Sequence, residues 1–178
     1  MKSEKYKFRI VFLIVAFVTG VATIVLAGMM VSFSGRPEYY AQEKNYGSVE
    51  CKVTFDGERV TFTVADDSKA AYRKGFQLSS DNLKIAKTNG LHADLKNGDT
   101  VTVMSAPAAF SGFKPPIAAI KSGGKVYLDF DTGRSNIVEN CEKARKTYYA
   151  VFLPTASVFA ASTLIFAGLQ IKKTRAEI

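Results

Sequence analysis

The sequence predicts a membrane α-hairpin, made of two transmembrane helices, that carries an extracytoplasmic and mainly β domain. Two uncharged runs predict the hairpin: 24 consecutive residues at 10–33 and 25 more at 147–171. About 20 apolar residues in a helix cross the roughly 30 Å of hydrocarbon in a bilayer, so each run is long enough to span it. Between the runs, short segments alternate apolar and polar residues, and this alternation predicts strands.

The first run has two other interpretations. A buried helix of a soluble protein would need a large apolar core around it, and the 113 residues between the runs are mixed polar sequence. A cleaved signal peptide is favoured by the basic residues of 1–9 and by the small residues within Val25–Gly28. The uncharged run continues past that point, through Met29–Phe33, so we expect an uncleaved signal anchor.

Basic residues are concentrated outside the two runs. Segments 1–9 and 172–178 together hold seven Lys/Arg and two Glu, a net +5, whereas 34–146 holds 17 Lys/Arg and 14 acidic residues, a net +3. Lys and Arg that flank a span favour the cytoplasmic side, so we expect both termini inside and the middle outside. The total of +8 therefore indicates topology and contact with lipid headgroups rather than binding to nucleic acid.

These signals divide the chain into seven predicted segments. They are a cytoplasmic basic N-terminus at 1–9, transmembrane helix 1 (the signal anchor) at 10–33, a linker at 34–46, an extracytoplasmic β-rich domain at 47–131, a juxtamembrane helix at 132–146, transmembrane helix 2 at 147–171 and a cytoplasmic basic tail at 172–178. Asp131 or Thr132 is the expected cap of the juxtamembrane helix, which we expect to run into the second span.

The β-rich domain begins with a predicted hairpin. Gly47–Phe55 and Arg59–Ala65 alternate as half-buried strands do, and the Asp56-Gly57 pair between them is a strong turn signal. We expect a third strand around Ala71–Leu78 and then a short helix within 79–90, which starts at Ser and Asp residues and stops at Gly90.

The remaining signals are again those of strands. A turn at Asn97-Gly98 leads into a predicted strand at Thr100–Ser105, and Gly123-Gly124 marks a second hairpin. Three strands, a helix and two or three further strands favour a small OB-like barrel of βββαββ order. An open antiparallel sheet with one covering helix is the alternative.

Small residues recur at a 4-3-4 spacing in both predicted spans. The two sets are Ala16, Gly20, Thr23 and Ala27 in the first, and Ala156, Ala160, Thr163 and Ala167 in the second. This spacing places each set on one helix face, where small side chains let two backbones approach. The alternative is that small residues are simply common in spans.

One segment resembles the active-site loop of a known enzyme family. Tyr127–Asn136 reads YLDFDTGRSN and is similar to the loop of pepsin-like aspartic proteases, in which an apolar strand leads into Asp-Thr-Gly. The resemblance implies that Asp131 is one of two catalytic aspartates that share a proton. However, the chain has no second Asp-Thr-Gly, and only about 13 residues separate Gly133 from the second run. A membrane-bound protease is therefore a remote alternative, and we expect Asp131 to be a helix cap.

Other candidate residues give weaker signals. Cys51 and Cys141 both lie in the predicted external region, where a disulfide and two separate thiols are the alternatives. His92, the single histidine, is expected on the surface or in a turn. The loop Ala106–Ile120 is expected to contact a partner or the bilayer, or else to close the end of the barrel. Its candidate contact residues are Phe110, Phe113, Pro115 and Pro116.

No catalytic, cofactor-binding or metal-binding set emerges from these patterns. We therefore expect a non-catalytic two-span protein of the cell membrane, with 34–146 outside the cytoplasm and no cofactor. Its OB-like domain is expected to bind or scaffold a membrane or cell-surface protein, as an accessory or regulatory subunit of a membrane assembly. An extracytoplasmic ligand-binding or sensor module is the alternative function.

Overall fold

The fold comes from a computed structural model, which describes residues 2–34, 36–65, 72, 75–107 and 114–176. The chain forms two compact units. One comprises Met1–Ser34 with Lys143–Ile178, and the other comprises Gly35–Glu142. The first is helical, and the second contains the sheet.

Two long helices make up most of the helical unit. Helix α1 extends over Lys2–Ser34, and helix α5 extends over Phe130–Ala176, so α5 begins in the sheet-containing unit and ends in the helical one. Helix α5 is continuous through the two segments that were predicted as a juxtamembrane helix and a second span. Pro154 lies inside it and lacks a backbone N–H, so one helical hydrogen bond is missing there.

The other unit is built on one antiparallel sheet of five strands. In chain order they are β1 at Gly47–Asp56, β2 at Arg59–Val64, β3 at Thr100–Ser105, β4 at Ile117–Ser122 and β5 at Lys125–Leu128. Their spatial order is β2-β1-β3-β4-β5, and every neighbouring pair is antiparallel.

The sheet is open, so the prediction of an OB-like barrel is not confirmed. A barrel closes when its first and last strands pair, whereas β2 and β5 are here the two edges of the sheet. At the β5 edge, the Asn89 side chain donates a hydrogen bond of 2.9 Å to the carbonyl oxygen of Tyr127. The alternative from the sequence, an open antiparallel sheet with a covering helix, agrees with the structure.

The predicted third strand at Ala71–Leu78 is not found where the structure describes the chain. Residues 71, 73 and 74 lie outside the described residues, and Gln77 forms an isolated parallel bridge with Pro116. The amide of Gln77 donates to Pro115, and its carbonyl accepts from Ile117. These bonds attach Gln77 at the start of β4 rather than beside β2.

The two hairpin turns lie close to their predicted positions. Asp56 pairs with Arg59, so Gly57 and Glu58 form the first turn, one residue later than predicted. Ser122 pairs with Lys125, which leaves Gly123-Gly124 as the two-residue turn that the sequence predicts. Both glycines have positive φ, the backbone conformation that a type I′ turn requires at its two central positions.

Short helices complete the unit, and two of them occupy the predicted linker. Helix α2 covers Arg36–Ala41, and a 3₁₀ turn covers Glu43–Asn45. Helix α3 covers Ser80–Thr88 and is capped by Ser79, whose hydroxyl accepts a hydrogen bond from the amide of Asn82. Helix α4 is the single turn Leu91–Asp94.

Two apolar clusters hold the sheet and helices together. The larger contains buried residues from all five strands, together with Ala86 of α3 and Leu91 of α4. The smaller joins α2 and the first turns of α5 to β4 and the end of β3, and its buried members are Tyr40, Ala106, Ala118 and Ile137. Burial of such side chains is the main favourable term in folding, at about 25 cal/mol per Å² of apolar surface.

Candidate membrane and interaction surfaces

Exposed apolar side chains are concentrated on the two long helices. Of the 18 large apolar residues exposed among the described residues, nine lie on α1 and eight lie on α5 from Tyr149 onward. The exception is Val126 on β5. Both helices are long and apolar enough to cross a membrane, by length and composition. In water so much contiguous apolar surface would be unfavourable, so it indicates contact with lipid or with other protein.

The two long helices approach each other at Gly20, which belongs to the small-residue set of the first run. Gly20 is buried, and a Cβ placed on it would lie 2.9 Å from a ring carbon of Phe159. Ala16, Thr23 and Ala27 are partly buried and lie on the same face of α1. The hydroxyls of Thr19 and Thr23 donate to carbonyls of the preceding turn, at 2.7 Å each. These polar groups are thereby satisfied within the helix, as an apolar environment requires.

On α5 the contact lies on a different face from the predicted stripe. Ala160, Thr163 and Ala167 are exposed, and only Ala156 of that set is partly buried. Ser162 is 5% exposed, and Phe159 faces Gly20. The small residues of α5 did not indicate which of its faces contacts α1. The contact to Gly20 is made by a large residue, Phe159, whose ring fills the space beside the glycine.

The predicted contact loop is only partly described. Phe110 and Phe113 lie outside the described residues. Pro115 is buried and Pro116 is partly buried, and the carbonyl of Pro116 accepts a hydrogen bond of 2.8 Å from the Ser105 hydroxyl. The two prolines therefore belong to the packed start of β4.

Cys51 and Cys141 are thiols in the structure and are not joined by a disulfide. Cys51 is fully buried within the larger apolar cluster, whereas Cys141 packs beside the smaller one. Because each sulfur belongs to a different cluster, the alternative of two separate thiols agrees with the structure.

The Asp-Thr-Gly segment lies at the start of α5. Asp131 is in the first turn of that helix, and its carboxylate pairs with Arg134 at 2.8 Å. The cap is Asp129, not Asp131 or Thr132 as expected. One Asp129 carboxylate oxygen accepts hydrogen bonds from the amides of Asp131 and Thr132, at 3.1 and 3.2 Å. The hydrogen bond from the Thr132 amide is the largest influence on the pKa of Asp129 and lowers it, whereas burial acts in the opposite direction.

The Asp-Thr-Gly segment is helical, whereas the resemblance to aspartic proteases implies a loop at this position. The peptide groups of Asp131 and Thr132 belong to the first turn of α5, where their amides point back to the cap. The Asp131 side chain is 79% exposed. The structure thus gives Asp131 the position of an exposed carboxylate at a helix N-terminus, which the helix dipole favours.

A buried asparagine links three elements, and sequence reasoning did not single it out. The side-chain amide of Asn82 is fully buried and donates to the carbonyls of Ile117 on β4 and Gly133 on α5, at 3.1 and 3.2 Å. Its side-chain oxygen accepts from Asn136, also on α5, at 2.8 Å. The partners lie 35 to 54 residues away in the chain, so no local pattern indicated them.

The smaller cluster contains a tyrosine in an apolar setting. The Tyr46 hydroxyl donates to the carbonyl of Tyr40 at 2.9 Å, and its ring meets Phe130 edge-on, with the centroids 5.2 Å apart. Burial, followed by the nearby Tyr40, raises the pKa of Tyr46 well above its ordinary value. This hydroxyl is therefore a neutral hydrogen-bond donor at physiological pH.

Threonines dominate one exposed face of the sheet, which we call the threonine face. Its residues are Lys52, Thr54, Thr61, Thr63 and Thr100, and all five are exposed. The strand registers set Lys52 opposite both Thr63 and Thr100, and Thr54 opposite Thr61, so the five share one side of β2, β1 and β3. The threonine face is a polar surface, and the exposed Glu50 of β1 and Lys121 of β4 lie on the same side of the sheet.

Within the part of the chain that the structure describes, no group of three or more His, Cys, Asp or Glu could hold a metal ion. Comparison with protein-family models, with curated proteins and with solved structures finds no match to this chain. The fold and the exposed surfaces thus define a class: a chain with an open five-stranded sheet and two helices able to cross a membrane.

Proposed function

We propose that this chain is a two-span membrane protein that holds its sheet-containing unit outside the cytoplasm, where the unit binds or scaffolds another membrane or cell-surface protein. The observation that carries the proposal is that 17 of the 18 large apolar residues exposed among the described residues lie on α1 and the later part of α5. Lipid tails would cover these side chains and so remove the unfavourable contact between apolar surface and water. Among the described residues the sheet-containing unit exposes only Val126 in this way.

The orientation follows from charge. The two tails carry a net +5 in 16 residues, and positive charge beside a span favours the cytoplasmic side. With both tails inside, α1 is a signal anchor and α5 returns the chain to the cytoplasm. The unit between them is then extracytoplasmic and tethered at both ends, an arrangement suited to an accessory or regulatory subunit of a membrane assembly.

Labelling of introduced cysteines on intact cells tests the topology. Glu58→Cys places a thiol at a turn where the native side chain is 97% exposed, and Lys5→Cys places one in the N-terminal tail. A membrane-impermeant maleimide should label Glu58→Cys on intact cells, and Lys5→Cys only after lysis. The parent chain, with Cys51 and Cys141 alone, sets the background. Labelling of Lys5→Cys on intact cells would contradict the proposed orientation.

Protein binding is proposed for the threonine face, because it is the broad exposed side of the described strands. A photo-crosslinking amino acid at Thr61 should give a discrete crosslinked product in cells. The same amino acid at Thr88, an exposed threonine on α3, is the matched control and should give less. Equal products at both positions, or none at Thr61, would rule out binding at the threonine face.

A further inference from the structure

The chain has one histidine, and its ring lies between two elements of the sheet-containing unit. His92 is on α4, and its ring packs against that of Phe55 on β1, with centroids 4.8 Å apart and planes at 52°. Both ring nitrogens are buried and have no hydrogen-bond partner among the described residues. A neutral imidazole in this position already leaves a donor and an acceptor unsatisfied, which is unfavourable.

An imidazolium in the same position would be less favourable still. It carries a charge and has two N–H donors, and neither donor would find an acceptor among the described residues. Removal from water therefore lowers the pKa of His92, and the nearby Lys87 ammonium lowers it further. The Glu58 carboxylate acts in the opposite direction and is the weakest of the three influences.

The charged groups around the ring come from two other elements. Glu58 lies in the β1–β2 turn and Lys87 lies on α3, and they form an ion pair at 3.5 Å that joins these elements. On α4 itself, the Asp94 carboxylate pairs with Lys125 of β5. The acid of the β1–β2 turn is thus engaged with Lys87, and the acid of α4 with Lys125.

We propose that the Phe55–His92 contact is an acid-sensitive clamp, which holds α4 against the β1–β2 hairpin and opens when the imidazole takes a proton. Opening brings both nitrogens to water, where the imidazolium is solvated. Helix α4 is a single turn that Asn89 and Gly90 separate from α3, so the proposed opening involves a different segment of the backbone from α3. The clamp goes beyond the proposed membrane function and does not depend on it.

The direction of the pH dependence follows from the lowered pKa. Above the ordinary histidine pKa of about 6.5, the ring is neutral in both the closed and the open state, and the clamp keeps its full stability. Below about 6.5 the open state binds a proton and the closed state resists it, so opening becomes more favourable. For one proton, the opening equilibrium rises by at most about tenfold per pH unit until the lowered pKa is reached.

Amide hydrogen exchange of the full-length protein in detergent micelles tests the clamp. After correction for the intrinsic exchange rate, amides at 91–97 should lose protection between pH 7.5 and 5.5, by a factor of up to about ten. The variant His92→Phe keeps a ring against Phe55 and cannot take a proton, so its protection should be the same at both pH values. An equal loss in His92→Phe, or no loss in the wild type, would overturn the proposal.

A second measurement does not depend on how that variant folds. With a single histidine, ¹³C-labelled imidazole gives one resonance whose titration needs no assignment. Its midpoint should lie below about 6.5, and the loss of protection at 91–97 should begin near 6.5 and level off near that midpoint. A midpoint at or above about 6.5 would show that the closed state does not resist protonation and would overturn the clamp.

Discussion

At the scale of single residues, the Asn82 side chain makes three hydrogen bonds to residues that are distant in the chain. Its two amide hydrogens and its oxygen are all used, so the group is satisfied although it is fully buried. A satisfied buried network fixes one arrangement of its elements, whereas removal of one member leaves the others without partners. Asn82 therefore positions α3, β4 and the start of α5 against one another.

We expect Asn82→Ala to lower the free energy of unfolding of the sheet-containing unit by about 3 kcal/mol, because two carbonyls and one side-chain amide lose their partner. Asn140→Ala is the matched control. Its side chain donates to Asp81 at 3.3 Å on the surface, and its loss should change the same quantity by about 0.5 kcal/mol. Pulse proteolysis of the full chain in detergent and urea measures both. Similar losses in the two variants would show that Asn82 has no special role.

At the scale of elements, local signals fixed the ends of strands and turns, whereas tertiary packing fixed their order. The β3 bounds and the Gly123-Gly124 turn could be predicted because each depends on residues within a few positions. The order β2-β1-β3-β4-β5 could not, because the apolar faces of these strands are compatible with several pairings. The sequence around Gln77 also has the pattern of a strand. Its hydrogen bonds to Pro115 and Ile117 nevertheless give only an isolated bridge, because the available partner lies at the start of β4.

Helix α5 approaches β4 closely where Gly133 faces Ala118. A Cβ on Gly133 would lie 2.0 Å from the Ala118 carbonyl oxygen, far inside van der Waals contact and against backbone that cannot move alone. We therefore expect Gly133→Ala to destabilise the sheet-containing unit by about 3 kcal/mol or more. In the same helix, a Cβ on Gly168 meets no atom within 4 Å, so Gly168→Ala should change stability little.

Thermal unfolding of both glycine variants, followed by tyrosine absorbance of the full chain in detergent, gives this comparison. The chain has eight tyrosines and no tryptophan. A Gly133→Ala protein that melts with the wild type would mean that α5 shifts away from β4 at little cost. The tight packing of α5 on the sheet would then not be required for stability.

At the scale of the whole molecule, the exposed large apolar residues of the described chain are concentrated on the two long helices. The two long helices expose apolar side chains, and the hydroxyls of Thr19, Thr23 and Thr163 donate to carbonyls of their own helix. The sheet-containing unit has a buried core and a polar threonine face. A chain with these two kinds of surface fits the boundary between a bilayer and water.

A charge placed on the exposed apolar surface of α1 should hinder the insertion of α1. Ile24 lies in the second half of the first uncharged run and is 74% exposed, so Ile24→Lys places an ammonium in the hydrocarbon at a cost of about 3 kcal/mol. In the Glu58→Cys chain, Ile24→Lys should therefore lower labelling by a membrane-impermeant maleimide on intact cells, and Ile24→Leu should leave that labelling unchanged. Equal labelling of the two variants would show that this face of α1 contacts protein or water instead.

The sequence by itself determined the two long apolar helices, the Gly123-Gly124 turn and the β3 strand, because these depend on composition and on patterns a few residues long. The 4-3-4 spacing places Gly20 with other small residues on one face of α1, and the role of that set in packing stays a prediction. Topology, the signal anchor and the protein partner are still predictions from the same patterns.

Only the tertiary structure decided the open sheet, the contact face of α5, the cap at Asp129, the separation of Cys51 from Cys141 and the surroundings of Asn82 and His92. Most of these features depend on groups that are distant in the chain. The cap depends on which of several adjacent polar residues lies at the position where the helix begins. Such choices are settled by how apolar faces and hydrogen bonds can be satisfied together in three dimensions. A pattern along the chain indicates which residues are buried, but it does not indicate which residues they contact.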